Sequence, residues 1–87
     1  MALSFPNRSR SYDATRRAVQ FWGHDSVIEY AFLITEEALK RVRPAAPLDE
    51  SGLLSAFDAN RDLIHAAAAK AYAKERKGSY DLVAADF

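Results

Sequence analysis

The sequence predicts an α+β fold in two layers, with the element order β-β-α-α-β. Two runs rich in aromatic and β-branched residues come first, at residues 18–22 and 27–34. Two helical patterns follow at residues 36–43 and 50–77, and a short apolar segment at residues 79–84 comes last. Strand runs that precede helix runs favour helices on one face of a sheet. We therefore expect a small antiparallel sheet with two helices on one of its faces.

The first 17 residues are predicted to form an N-terminal arm of a single domain over residues 1–87. Leu3, Ser4 and Phe5 are compatible with an additional short edge strand, which Pro6 would end. The rest of the arm is polar and rich in Arg and Ser, and its pattern does not define an element.

The first two strands are predicted to form a β-hairpin. Gly23 and Asp25 favour a turn between them, because glycine accepts positive φ and aspartate can bond its own backbone. Both faces of the second strand are mostly apolar, which is typical of a strand covered on both sides. Helices can cover one face. For the face that carries Val27, Ala31 and Leu33 we expect the arm or a second copy of the chain.

The two predicted helices have recognisable ends. Thr35 is a good N-cap for the first helix, and Pro44 ends it. Asp49 is the predicted N-cap of the second helix, and Gly78 predicts its C-terminal end. Beyond Ile64 the apolar stripe of this helix is mostly alanine, which permits close approach but supplies little burial energy.

Composition excludes several classes of function. The 87 residues include no cysteine, so disulfides, thiolate metal sites and a cysteine nucleophile are excluded. Twelve basic and twelve acidic residues balance, so the overall charge does not demand a strongly charged partner. Three glycines form no phosphate-binding loop, and no apolar run reaches the ~18 residues of a membrane helix. We expect a cytoplasmic protein with no export signal, no membrane contact, no cofactor and no metal.

One helical face carries the residues that come closest to a chemical site. Asp58, Asp62 and His65 share this face and could ligate a metal, but a fourth ligand is missing, so a solvated face is the favoured interpretation. Arg61 suits either an anion site beside the sheet or a structural ion pair, which we favour. The candidate carboxylate partners for that ion pair are Asp86, Asp81 and Glu29.

Several segments carry a family resemblance through their order and spacing. They are Tyr12-Asp13, RAVQF at 17–21, Gly23, ITEEAL at 34–39, FDANRDLI at 57–64 and the closing Asp86-Phe87. In these segments the chain resembles short bacterial proteins of the domain of unknown function 1488 family. The resemblance implies a small two-layer α+β fold and a cytoplasmic bacterial protein. It implies no activity and no catalytic residue.

The leading functional prediction is a small non-enzymatic protein-interaction or accessory module that self-associates, for instance as a homodimer. The alternative is a nucleic-acid-binding accessory protein that uses the basic arm with Arg16, Arg17 and Trp22, since arginines beside aromatic rings can hold a single strand. A pI of about 6.7 disfavours this alternative. An enzyme that uses Arg61 and His65 ranks third.

Overall fold

The computed structural model describes residues 3–87 and confirms the α+β prediction, with a five-stranded sheet and three α-helices. No helix within these residues is both long and apolar enough to cross a membrane. The elements are β1 (Leu3–Ser4), β2 (Arg10–Asp13), β3 (Ala18–Asp25), β4 (Ile28–Thr35), α1 (Glu36–Val42), α2 (Glu50–Ala59), α3 (Arg61–Lys74), β5 (Ser79–Leu82) and a final 3₁₀ turn (Ala84–Asp86).

The sheet is mixed, so the prediction of an antiparallel sheet is wrong in one pairing. β3 and β4 form the central antiparallel hairpin, and β1 and β2 pair antiparallel with the free edge of β3. β5 pairs with the other edge of β4 and runs parallel to it. The connection from β4 to β5 contains all three helices. Such a long crossover is what a parallel pair requires.

The N-terminal arm extends the sheet instead of covering one of its faces. β1 matches the predicted edge strand, whereas β2 was not predicted. Arg10 and Tyr12 lie on the side of the sheet that faces the helices, and Ser11 and Asp13 lie on the opposite side. Three of the four residues of β2 are polar, so the sequence lacks the alternation of apolar and polar residues that predicts a strand.

The hairpin turn lies two residues later than predicted. β3 continues through Gly23 to Asp25, and the turn consists of Ser26 and Val27, with Ser26 at a φ of 59°. Gly23 is a strand residue without positive φ. A Cβ there would lie 3.0 Å from a ring carbon of Phe32, so this glycine provides space for an aromatic side chain.

The first helix agrees with the prediction, because Thr35 caps α1 by accepting a hydrogen bond from the Ala38 amide at 3.2 Å. The predicted long helix is in fact two helices, since the chain leaves helical geometry at Asn60. The Asn60 side chain donates to the Ala56 carbonyl at 2.9 Å and does not cap α3. α3 ends at Lys74, so Gly78 does not end a helix.

The core lies between the helices and one face of the sheet, which we call the inner face. Phe21 and Phe32 stack with ring centroids 5.3 Å apart, and Phe57 from α2 meets Phe21 at 5.1 Å. Tyr80 from β5 stacks on Phe32 at 4.9 Å. Among the residues that the three helices add to the buried cluster are Leu39, Leu53, Ile64, Ala68 and Tyr72.

Candidate functional site

The face of the sheet opposite the helices carries an apolar patch. The register pairs Trp22 with Ala31 and Gln20 with Leu33, so the four side chains lie side by side. Trp22, Ala31 and Leu33 are half-buried, and none belongs to the core cluster that the helices complete. We call these four residues the outer patch. The sequence prediction assigned Trp22 to a nucleic-acid surface, but the structure places it beside the predicted interface residues.

Polar side chains surround the outer patch. His24 Nε2 lies 3.1 Å from Glu29 Oε2 at one end, and the parallel register places Ser79 beside Ala31 and Asp81 beside Leu33. An apolar centre with an aromatic residue and a polar rim is the usual anatomy of a protein–protein interface. Tryptophan is also enriched among the residues that dominate binding energy.

A shallow cleft of about 220 Å³ adjoins the outer patch at Leu33. It carries one basic and one acidic side chain, Arg16 and Asp81, at its border. Its remaining lining residues are Ala18, Thr35 and Val83. The cleft therefore offers an apolar depression with charges of both signs beside it.

Val27 was predicted to share a strand face with Ala31 and Leu33. The structure places it in the hairpin turn, because β4 begins at Ile28. Its side chain is 92% exposed at the tip of the hairpin. It extends the exposed apolar surface beyond the sheet, but it is not part of the outer patch.

Most of the arm's arginines have carboxylate partners within the chain. Arg17 donates to Glu36 Oε1 at 2.8 Å, and the side-chain Nε of Arg16 lies 3.9 Å from Asp13 Oδ2. Arg10 pairs with a carboxylate of α2. These arginines sit on different sides of the sheet and do not form a continuous basic strip. The geometry therefore favours the outer patch over the arm as the candidate functional site.

Arg61 forms a structural ion pair, as favoured, but with a different partner. Its Nη2 donates to Asp58 Oδ1 at 2.9 Å and to the Arg8 carbonyl at 2.9 Å. Its guanidinium lies 4.9 Å from the Phe57 ring centroid. The predicted partners Asp86, Asp81 and Glu29 are not used. In the sequence, Asp58 lies three residues before Arg61 within the segment predicted as one helix, and this spacing favours an ion pair.

The three residues considered as metal ligands have other environments. Asp58 accepts hydrogen bonds from Arg10 and Arg61, which hold the pKa of its carboxyl below the usual value. The His65 ring stacks on Phe5 with centroids 3.9 Å apart. Burial, and then the positive charge of Arg61, lowers the pKa of His65. Within residues 3–87 no three potential ligand side chains converge.

Comparison with known proteins gives one match. A family model described as Protein of unknown function (DUF1488) matches residues 3–83, which confirms the resemblance seen in the sequence. No curated protein and no solved structure matches the chain.

Proposed function

The chain belongs to the DUF1488 family, whose description assigns no function, and on that premise we propose that it is a non-enzymatic protein-interaction module that self-associates through the outer patch. The observation that carries the proposal is the position of Trp22 on the uncovered face of the sheet, paired with Ala31. A large aromatic ring on an open sheet face provides the apolar area that an interface needs.

A second copy of the same chain is the partner that this surface fits. The rim of the outer patch holds both signs of charge, because Arg16 is basic and Asp81 and Glu29 are acidic. A two-fold axis through the patch would let each copy oppose its own acidic groups to the basic groups of the other. Two twisted sheets also pack face to face with their strands about 30° apart.

The same surface is poorly suited to catalysis. The four residues of the outer patch include no nucleophile with an adjacent base, and the imidazole of His24 at the rim contacts Glu29. The chain lacks cysteine, which fits a cytoplasmic setting. The proposal therefore describes a cytoplasmic accessory protein whose work is a protein contact.

The test compares molar mass in solution for three proteins by light scattering after size exclusion. We expect the wild-type protein to be a dimer at both low and high salt, because the centre of the patch is apolar. Leu33→Asp places a charge at that centre and should give a monomer with an unchanged far-ultraviolet circular dichroism spectrum. Leu63→Asp is the matched control, since Leu63 is 52% exposed on α3, and it should remain dimeric.

A wild-type monomer at every concentration would contradict the proposal. So would equal masses for Leu33→Asp and Leu63→Asp when both are folded. Absorbance recorded at two ultraviolet wavelengths tests the nucleic-acid alternative in the same run. A monomer that carries nucleic acid at low salt and releases it at high salt would replace the self-association proposal.

A further inference from the structure

A second surface lies on the helix side of the sheet, where the arm meets the junction of α2 and α3. It is a cavity of about 480 Å³ lined by five polar residues. Three are consecutive in the arm, Arg8, Ser9 and Arg10, and the other two are Asp58 of α2 and Arg61 of α3. The lining contains three arginines and one aspartate, so it carries an excess of two positive charges. We call this cavity the arginine pocket.

Asp58 organises the arginine pocket. Arg10 Nε donates to Asp58 Oδ1 at 3.0 Å, and Arg10 Nη2 donates to Oδ2 at 2.8 Å. Arg61 shares Oδ1 and also contacts the Phe57 ring, which leaves its side chain only 12% exposed. Two of the three guanidinium groups are therefore held in place before any ligand arrives. Such preorganisation lowers the cost of binding.

The pocket retains donors that the chain does not use. The Arg8 guanidinium has no hydrogen-bond or ion-pair partner anywhere in residues 3–87. Within the same residues, Nε and Nη1 of Arg61 and the hydroxyl of Ser9 make no hydrogen bond. Arg61 uses only Nη2, for Asp58 and for the Arg8 carbonyl. Unpaired arginine donors beside a fixed pair of guanidinium groups suit a planar or tetrahedral oxyanion.

We propose that the arginine pocket binds a dianionic phosphate group, held between Arg8 and Arg61. The two charges of the dianion would match the excess positive charge of the lining. Its oxygens would accept two parallel hydrogen bonds from the Arg8 guanidinium and single hydrogen bonds from Nε or Nη1 of Arg61 and from Ser9. Lysine would not replace Arg8 equally well, because a guanidinium presents two parallel donors to one phosphate.

His65 provides an independent readout beside the pocket. Its ring stacks on Phe5, and it senses the positive charges of Arg61 and Arg8 and the negative charge of Asp62. Burial and the two arginines lower the pKa of its imidazole, and Asp62 acts in the opposite direction. A bound dianion would offset the arginine charges. Phosphate should therefore raise the pKa of His65.

The experiment titrates inorganic phosphate into the isotope-labelled protein at constant ionic strength and follows backbone amide and His65 ring resonances by NMR. We expect saturable shifts at residues 8–10 and 58–61 and a rise in the His65 pKa. Arg8→Ala should weaken binding about tenfold or more, because it removes hydrogen bonds between charged groups. Arg16→Ala is the matched control, an exposed arginine on the other side of the sheet, and should bind as the wild type does.

Two further titrations have separate purposes. One identifies the source of the phosphate group, and the other tests whether the arginine pocket is independent of the outer patch. Tighter binding of O-phosphoserine than of inorganic phosphate would indicate a phosphorylated peptide, and the reverse order would indicate the free ion. Leu33→Asp should bind phosphate normally, since the pocket does not depend on the outer patch. The proposal is overturned if the shifts do not saturate, if chloride produces them equally, or if Arg8→Ala binds phosphate as tightly as Arg16→Ala does.

Discussion

The two faces of the central sheet differ more in what covers them than in what they are made of. Phe32 and Leu33 are neighbours in β4, yet Phe32 is fully buried and Leu33 remains half-buried. Phe32 lies on the inner face against the aromatic core, whereas Leu33 lies between Gln20 and Asp81 on the outer face. An apolar strand face is therefore not by itself a core position.

This difference bears directly on function. Phe21 and Trp22 are also neighbours, one stacked in the core and the other paired with Ala31 on the open side. The inner face accounts for stability, because the three helices bury it. The outer face holds large apolar groups that contribute little to the stability of one copy. The proposed self-association would give those groups a role.

The largest expected effect is on the inner face. Phe32→Ala should lower the free energy of unfolding by about 3–5 kcal/mol, because it removes the ring that stacks on Phe21 and Tyr80. Leu33→Ala should cost less than about 1 kcal/mol in dilute, monomeric protein. Urea unfolding at low protein concentration measures both. Equal losses would show that the two faces are equally important for the fold.

A second, smaller effect tests the close packing around Gly23. Gly23→Ala should destabilise the protein by about 1–3 kcal/mol, because the added methyl group would meet Phe32 and Phe5 at 3.0 Å. Gly78→Ala is the matched control, since a Cβ at Gly78 has no neighbour within 4 Å. Thermal unfolding of the two variants should separate them clearly. A similar melting temperature would mean that the aromatic cluster is loosely packed.

Arg10 tests the attachment of the arm to the inner side. Arg10→Ala should cost about 1 kcal/mol or less, because Arg10 and Asp58 are 34% and 40% exposed and solvent weakens their attraction. The amides of β2 should exchange faster with deuterium in this variant, since the tether to α2 is lost. Arg16→Ala, which removes only a 3.9 Å contact, should leave exchange in β2 unchanged.

The smallest expected effect is a pH dependence from His65. Its pKa in the folded protein is lower than the ordinary 6.5, so the unfolded chain binds more protons. The stability that neutral His65 contributes to the folded protein is complete above pH 6.5. It is lost as the pH falls through the pKa of His65 in the folded protein. Protonation of the Asp58 carboxyl lowers the stability separately, and only at lower pH, because its pKa is below the usual value. In His65→Gln, stability measured by urea unfolding should change less between neutral and mildly acidic pH. If stability depended on pH in this variant as it does in the wild-type protein, this account would be contradicted.

The sequence was most informative where local chemistry decides structure. Thr35 predicted the start of α1, because a capping oxygen acts within three residues. The alternation in β4 correctly assigned Ala31 and Leu33 to one face. Asn60 was missed because the apolar stripe continues on both sides of it, while its side chain bonds Ala56 instead of capping α3.

The remaining features depend on contacts between distant parts of the chain. Gly23 was interpreted as a turn residue, since nothing local shows that the rings of Phe5 and Phe32 occupy the space of its missing side chain. The parallel pairing of β5 follows from the path of three helices. The arginine pocket joins Arg10 to α2 and Arg8 to α3 across 48 or more positions, so residue spacing could not reveal it.

Trp22 offers the most direct test, because it is the chain's single tryptophan and it lies in the outer patch. Its fluorescence can be followed as protein concentration rises, together with its quenching by acrylamide. We expect emission to move to shorter wavelength and quenching to decrease with concentration, and both changes should be absent in Leu33→Asp. Emission and quenching that stay constant in the wild-type protein across the whole concentration range would contradict self-association through this face.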